Sequence, residues 1–178
     1  MTNARQDVKT KHERFVVNDF LQKLNHRQHC DYRVIAEPNP PEAIIQSKRR
    51  TSWVEVTCAF WTDAWAKDKY SAATEGEPYT PVPEGGYANM TAIFSNRFAE
   101  VVRKKLEKPT YEAARDEHGP GYLVVSIQNP FFGKSDLPHM QRALAALDVK
   151  DLGCFRSIYL HYQVFDFYVL AKWQPLSS

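Results

Sequence analysis

The stretch PPEAIIQSKRRTSWVEVT, residues 40–57, has the pattern of a β-hairpin with a carboxylate on each arm. Two apolar runs flank the polar segment SKRR, whose length is typical of a four-residue hairpin loop. If the turn is centred in the middle of that segment, Ile44 faces Trp53 and Glu42 faces Glu55. Because side chains alternate along a strand, these residues then share one face of the hairpin.

Two carboxylates that face each other across a hairpin have Cβ atoms roughly 5 Å apart, and like charges at that distance repel. A divalent cation would turn the repulsion into a binding site, because Mg²⁺ prefers a few carboxylate oxygens together with water. A one-residue slip of the register, or a different turn, would instead separate Glu42 from Glu55. The two acids would then be ordinary surface glutamates, and the hairpin pattern leaves both interpretations open.

The chain around the hairpin alternates helical and strand patterns, which predicts a mixed β-sheet with helices on its faces, an α/β protein. Prolines and glycines punctuate a polar segment that we interpret as a long loop. The predicted elements, in chain order, are a helix at 10–25, strands at 32–36, 42–46 and 51–60, the loop at about 61–87, a helix at 88–108, a doubly buried strand at 122–128, a helix at 138–147, and strands at 155–162 and 165–170.

The composition indicates one soluble globular domain over residues 1–178, with a formal net charge of +2 that points to no class of partner. The cysteines Cys30, Cys58 and Cys154 are an odd number with wide spacing, which favours free thiols over disulfides or a zinc site. The first residues lack the apolar core of a signal peptide, and no segment is long and apolar enough to span a membrane. We therefore expect a cytoplasmic protein without a membrane partner.

The order of these motifs resembles the core of the PD-(D/E)XK nuclease superfamily. The residues that carry the resemblance are an acid in the first helix (Glu13), Pro41-Glu42 before an apolar strand, and Glu55-Val56-Thr57 on the next strand. The basic helix that ends in RKKLEK and the apolar strand YLVVSIQNPFF are similar to the later core elements of that family. The resemblance covers most of the chain and implies a restriction endonuclease-like three-layer sandwich.

The resemblance also implies a metal site and a reaction. Glu42, Glu55 and Val56 would hold Mg²⁺ or Mn²⁺, and Glu13 would orient water or a second ion. In such enzymes the metal activates water and stabilises charge on the scissile phosphate. The implied function is a metal-dependent endo- or exonuclease that hydrolyses phosphodiester bonds of nucleic acid.

The sequence departs from the family pattern at two positions. Glu42 stands where the family has Asp, and Thr57 stands where it usually has the catalytic Lys. A threonine cannot supply a positive charge, so another lysine would have to replace it. Lys105 is our first candidate, because helical spacing puts it at the edge of the inward face of its helix. The alternatives are Lys48 in the hairpin loop and a Lys105 that only extends to solvent.

Basic residues of the hairpin loop and of the second long helix could together track a phosphate backbone. The candidate nucleic-acid contacts are Arg49, Arg50, Lys104 and Lys105. Solvated surface charge is the ordinary alternative for a cluster of this size. The loss of both the Asp and the Lys of the motif also favours a second function, a catalytically degenerate nuclease fold that binds nucleic acid or protein.

Overall fold

The computed structural model describes residues 4–48, 50–73, 90–146 and 152–173. One six-stranded sheet, with the strands in chain order β1 to β6, has helices on both faces. The strands are β1 (Arg33–Ala36), β2 (Ala43–Gln46), β3 (Thr51–Phe60), β4 (Gly121–Gln128), β5 (Phe155–Val164) and β6 (Phe167–Lys172). The helices are α1 (Ala4–Gln28), α2 (Asp63–Ala73), α3 (Met90–Leu106), α4 (Glu112–His118) and α5 (Leu137–Ala145). The predicted α/β class with a mixed sheet is confirmed.

The sheet is antiparallel at its two sides and parallel in its centre. Strands β1, β2 and β3 form an antiparallel meander, whereas β3, β4 and β5 run parallel and β6 returns antiparallel to β5. The central strand β4 is buried on both faces along almost its whole length. This burial explains the nearly continuous apolar sequence of β4, because a strand covered by helices on both faces has no solvent-facing positions.

The predicted hairpin register is confirmed over β2 and β3. Ile44 lies opposite Trp53, and the ladder continues to the pair of Ala43 with Val54, where β2 begins. Glu42 is the residue before β2, where the ladder ends. Strand β3 continues beyond that point, from Glu55 to Phe60, without a partner in β2. The open edge of β3 that results is where Glu42 and Glu55 meet.

Two hydrophobic cores lie on the two faces of the sheet. On one face, α1 packs Val16, Phe20 and Leu24 onto side chains of the central strands. On the other face, α3 and α5 bury an aromatic-rich core that includes Phe98 and Met140. Glu55 lies on β3 between Trp53 and the half-buried Thr57, on the α3 face.

The segment at 61–87, which the sequence predicts as a loop, is corrected over its first part. Residues Asp63–Ala73 form helix α2, and residues 74–87 lie outside the part of the chain that the structure describes. The loop prediction relied on prolines and glycines, yet all of these follow residue 73, where helix α2 ends. Aromatic contacts of Trp65 with Trp61 provide the packing that stabilises this short polar helix.

Smaller differences concern element ends and chemistry. Helix α1 extends beyond the predicted 10–25, and the short helix α4 was not predicted. Cys30, Cys58 and Cys154 are free thiols, as the sequence predicts. Over the described residues, no helix combines the length and the apolar character needed to cross a membrane.

Candidate functional site

The open edge of β3 presents unpaired main-chain groups to Glu42. The Val56 N–H has no strand partner on this side, and it donates a hydrogen bond to Oε2 of Glu42 at 2.9 Å. In an extended strand the N–H and C=O of one residue leave on the same side. The Val56 carbonyl therefore faces the same space as the Glu42 carboxyl group, which makes it available as an oxygen ligand.

Glu55 is the most buried acid of the site, with 1% of its surface exposed. Its Oε1 accepts two hydrogen bonds, one from Lys105 Nζ and one from the Tyr111 hydroxyl at 2.6 Å. Lys105 Nζ also lies 3.2 Å from the Tyr111 hydroxyl oxygen. The cationic and the neutral donor thus both bond to one oxygen of this buried carboxyl group, and such charge-assisted hydrogen bonds are the stronger kind.

Helix α3 brings Lys105 to the sheet. Its apolar face, which includes Phe98 and Val102, is fully buried against the core. Lys105 follows Val102 by three residues, so it lies on the same face one turn later, at the place where the core ends. Lys104 is exposed to solvent. Helical spacing therefore distinguishes the two lysines, as the sequence predicts.

Tyr111 is a member of the site that sequence reasoning missed. It ends a single turn of 3₁₀-helix, Pro109–Tyr111, and it is completely buried. Its ring stacks on Trp53, with centroids 5.4 Å apart and planes inclined by 21°. Burial and the Glu55 carboxylate raise the Tyr111 pKa, so the hydroxyl remains a donor. The signal available in the sequence was a tyrosine directly after Lys-Pro-Thr at the end of a basic helix, which is too common to single out.

The carboxyl groups of Glu42 and Glu55 lie close enough to share a proton. Burial raises the pKa of Glu42 to about 8, and the hydrogen bond and charge of Glu55 act in the same direction. The hydrogen bond from Val56 N–H opposes them by favouring the ionised form. The raised pKa therefore places a proton on Glu42 at neutral pH.

The second oxygen of Glu55 is where a cation would fit. Oε2 is buried and has no hydrogen-bond partner among the groups that the structure describes. A buried carboxylate oxygen without a donor is costly, and a proton on Glu42 or a cation between the two groups would satisfy it. Two carboxylates, the Val56 carbonyl and water form an all-oxygen donor set of the kind that Mg²⁺ or Mn²⁺ accepts.

Glu13 reaches the same region from α1. It is 6% exposed, forms an ion pair with Lys9 at 3.3 Å and, together with Glu42, lines a cavity of about 170 Å³. Burial raises the Glu13 pKa, although Lys9 lowers it in part; the charge of Glu55 raises it further. Within residues 4–48, 50–73, 90–146 and 152–173, no three His, Cys, Asp or Glu side chains are grouped to hold a metal ion. Glu13 lies in the cavity beside Glu42, with Lys9 as its ion-pair partner.

Of the predicted nucleic-acid contacts that the structure describes, Lys105 meets these acids, whereas Arg50 and Lys104 are exposed elsewhere. Arg50 is exposed just before β3, about five residues or roughly 16 Å along the strand from Glu55. Lys104 is exposed on α3, and Lys105 is engaged with Glu55 instead of facing solvent. Arg49 lies outside the described residues. Lys48 is exposed beside Arg50, so it does not reach the acids either.

No protein-family model matches the chain, and neither curated proteins nor solved structures give a significant match.

Proposed function

We propose that the protein is a metal-dependent nuclease with a restriction endonuclease-like fold, hydrolysing phosphodiester bonds of nucleic acid. The element order supports this assignment, since α1, the three-stranded meander, the long helix α3 and the parallel strand β4 follow each other in the order of the core that the sequence resembles, with the shorter helices α2 and α4 on either side of α3. Glu42 and Glu55 stand at the positions of the two motif acids, on either side of the strand edge at Val56.

One observation carries the proposal, namely that the Lys105 ammonium group forms a salt bridge with the Glu55 carboxylate. The motif lacks its lysine because Thr57 occupies that place, yet a lysine from α3, fifty positions after Glu55, supplies a cation at the same carboxylate. The Lys105 side chain is 23% exposed and the Glu55 side chain 1% exposed. Removing an ammonium group from water in this way is costly, which suggests that the lysine is kept there for a function. Catalysis at the scissile phosphate would be that function.

The residues would divide the chemistry as follows. Glu42, Glu55 and the Val56 carbonyl would hold Mg²⁺ or Mn²⁺, which when bound supplies a Lewis acid next to the phosphate. Lys105 would orient the attacking water and stabilise the charge that develops on the phosphate oxygens. Tyr111 would fix the positions of the Lys105 and Glu55 side chains relative to each other, because its hydroxyl contacts both. Glu13 would hydrogen bond water in the adjoining cavity.

Cleavage assays test the proposal. Purified protein should cut plasmid DNA, single-stranded DNA or RNA in the presence of Mg²⁺ or Mn²⁺, and EDTA should stop the reaction. Glu55→Gln should lower the rate by about 100-fold or more, because the amide removes a ligand charge while it still accepts the hydrogen bonds of Lys105 and Tyr111. Cleavage that persists unchanged in Glu55→Gln would overturn the assignment.

Lys105 and Lys104 form a matched pair for the same assay. Lys105→Met should lose about 100-fold of the rate. Lys104→Met removes an equal charge from the neighbouring exposed position and should leave the rate per bound substrate unchanged. Equal losses in the two variants would mean that only the charge of the helix matters, and would remove Lys105 from the reaction.

A non-catalytic binding module on the same fold is the second candidate. The observation that favours it is that Lys105 and Tyr111 already occupy one oxygen of Glu55, as in a structural ion pair. Calorimetry separates the candidates: absence of Mg²⁺ and Mn²⁺ binding, together with tight binding of nucleic acid, would identify the binding module.

A further inference from the structure

A second cavity, of about 560 Å³, opens at the carboxyl ends of the parallel strands β3, β4 and β5. Open α/β sheets characteristically bind ligands in the crevice outside these strand ends, and the volume is typical of ligand sites. Aromatic and amide side chains contribute to its wall: Phe60, Phe165, Tyr168, Gln128, Asn129 and Gln163. Neither the sequence motif nor the paired glutamates account for this cavity.

The face of the sheet beneath α1 changes from apolar to polar towards the cavity. Val56 and Val124 pair with each other within the apolar core under α1. One step further along the strands, the paired row consists of Cys58, Ser126 and His161. Burying polar groups is unfavourable unless they are hydrogen bonded, so a polar row in this place indicates more than packing.

Hydrogen bonds connect this polar row to the cavity wall. The buried Ser126 hydroxyl accepts a hydrogen bond from Nε2 of Gln128 at 2.8 Å and lies 3.2 Å from Nε2 of His12. His161, fully buried beside Ser126, has its Nε2 3.0 Å from Oδ2 of Asp19. The side chains of His12 and Gln128 are therefore held in fixed positions at the cavity, as in a preorganised binding site.

The charges of the wall favour an anionic ligand. Lys69 of α2 lines the cavity, and no carboxylate is among the described residues that line it. The exposed ring of Phe165 offers a flat apolar surface on which a base can stack, and the Tyr168 ring, stacked on His161 with centroids 4.8 Å apart, is a rigid part of the wall. Amide side chains both donate and accept hydrogen bonds, which matches the edges of unpaired bases.

We infer that this cavity binds one unpaired nucleotide of a nucleic-acid strand, with the base against the aromatic side chains and the phosphate near Lys69. The inference rests on the proposed nuclease function and names the substrate as a strand with unpaired nucleotides. Phe60 lies on the same strand as Glu55, roughly 16 Å further along. Helix α1 joins the two sites, since Glu13 reaches the acids and the adjacent His12 reaches the cavity.

Binding measurements in EDTA test the inference without cleavage. A nucleoside 5′-monophosphate, the same nucleoside without phosphate, a short single-stranded oligonucleotide and a blunt duplex are titrated into the full-length protein by calorimetry. The single strand should bind more tightly than the duplex, and the monophosphate more tightly than the nucleoside.

Two variants of the wall have matched controls. Phe165 is 89% exposed and lines the cavity, whereas Phe167 is 75% exposed and precedes Tyr168 on β6, so it faces away. Phe165→Ala should weaken single-strand binding about tenfold, and Phe167→Ala should not. Lys69→Gln should reduce the slope of log affinity against log salt concentration by about one, the value for one phosphate contact. Lys67→Gln, at an exposed position, should leave that slope unchanged.

The outcomes separate this inference from the nuclease assignment. If Glu55→Gln abolishes cleavage while Phe165→Ala and Lys69→Gln bind the single strand like wild type, the nuclease stands and the cavity assignment falls. Weakened binding in these two variants alone supports the cavity, even if cleavage is unaffected by Glu55→Gln. Binding of the monophosphate without any binding of the oligonucleotide would overturn the assignment to a substrate strand.

Discussion

Glu42 has neighbours that act on its proton in opposite directions. The Val56 N–H favours the carboxylate, whereas burial and the charge of Glu55 favour the protonated acid and prevail, with a pKa of about 8. Two neighbouring buried carboxyl groups repel each other when both are ionised, so without a cation one of them is protonated. Under the proposed metal binding, the stability of the cation-free protein and the affinity for the cation are opposed at this residue.

The pH dependence of stability tests this balance. Because the folded pKa of Glu42 is raised from 4.5 to about 8, its contribution to stability is complete below about pH 4.5 and is lost as the pH rises to about 8. In EDTA, Glu42→Gln should therefore be more stable than wild type at pH 8, since its amide donates to Glu55 without a proton. Urea unfolding at pH 5, 6.5 and 8 measures the difference.

Glu37→Gln is the control, because Glu37 is a more exposed acid of the same cavity, paired with Arg14 at 2.5 Å. It should retain the pH slope of the wild type. Parallel pH profiles for wild type and Glu42→Gln would contradict the shared proton.

The Tyr111 hydroxyl gives a second prediction for a single residue. Tyr111→Phe removes a buried donor to a charged acceptor and should lower the free energy of unfolding by about 1.5–3 kcal/mol. Tyr32→Phe is the matched control, because the buried Tyr32 hydroxyl has no partner among the described residues. That variant should be neutral or stabilising in urea unfolding. A neutral Tyr111→Phe would mean that the hydroxyl does not support Glu55.

Among the elements, the start of β4 sets the position of the aromatic support beneath the site. Gly121 opens β4, and the Trp53 ring lies where a Cβ at Gly121 would be, with only 2.3 Å between that position and Cδ2. Trp53 is held there by a hydrogen bond from its Nε1 to the Gly119 carbonyl at 2.9 Å. Since Tyr111 stacks on Trp53, a glycine at this strand end determines where the hydroxyl on Glu55 lies.

Gly121→Ala should therefore disturb both stability and the site. The added methyl group must displace the Trp53 ring, and such overpacking costs about 1–3 kcal/mol. Gly133→Ala is the control, because a Cβ there meets its nearest neighbour, Ser135 Oγ, at an ordinary 3.7 Å. Tryptophan fluorescence together with urea unfolding measures both effects. Equal stability of the two variants would show that the ring moves without cost.

The sequence predicts elements well where one physical rule dominates. The alternation of β2 and β3 defines a register that needs only the loop length, and the apolar β4 can only be central. It predicts poorly where tertiary packing decides, as in α2, which lacks a strong apolar face and is stabilised by Trp65 against Trp61. Tyr111 belongs to the second kind, because its role depends on contacts across more than fifty residues.

At the scale of the whole molecule, the residues of the candidate site come from both faces of the sheet, and the fold brings them together. Glu55, Lys105 and Tyr111 lie on the α3 face, whereas Glu13 approaches from α1 on the other face. The two sides meet at the open edge of β3, where β2 has ended and Glu42 bonds to the Val56 N–H. All of these residues except Tyr111 could be named from the sequence, but their meeting at the sheet edge depends on where strand β2 stops.

Metal binding should therefore stabilise the whole fold and do so through the acidic pair. Mg²⁺ or Mn²⁺ at about 100 times its dissociation constant adds about 2.7 kcal/mol, which corresponds to a rise of roughly 5–10 °C in the thermal midpoint. The shift should be larger at pH 8.5 than at pH 6, because binding must displace the proton of Glu42. Glu55→Gln should abolish the shift. Glu13→Gln should retain most of it, since Glu13 is ion-paired with Lys9. Loss of the shift in both variants would contradict a site built on two carboxylates, because it would require Glu13 as a third.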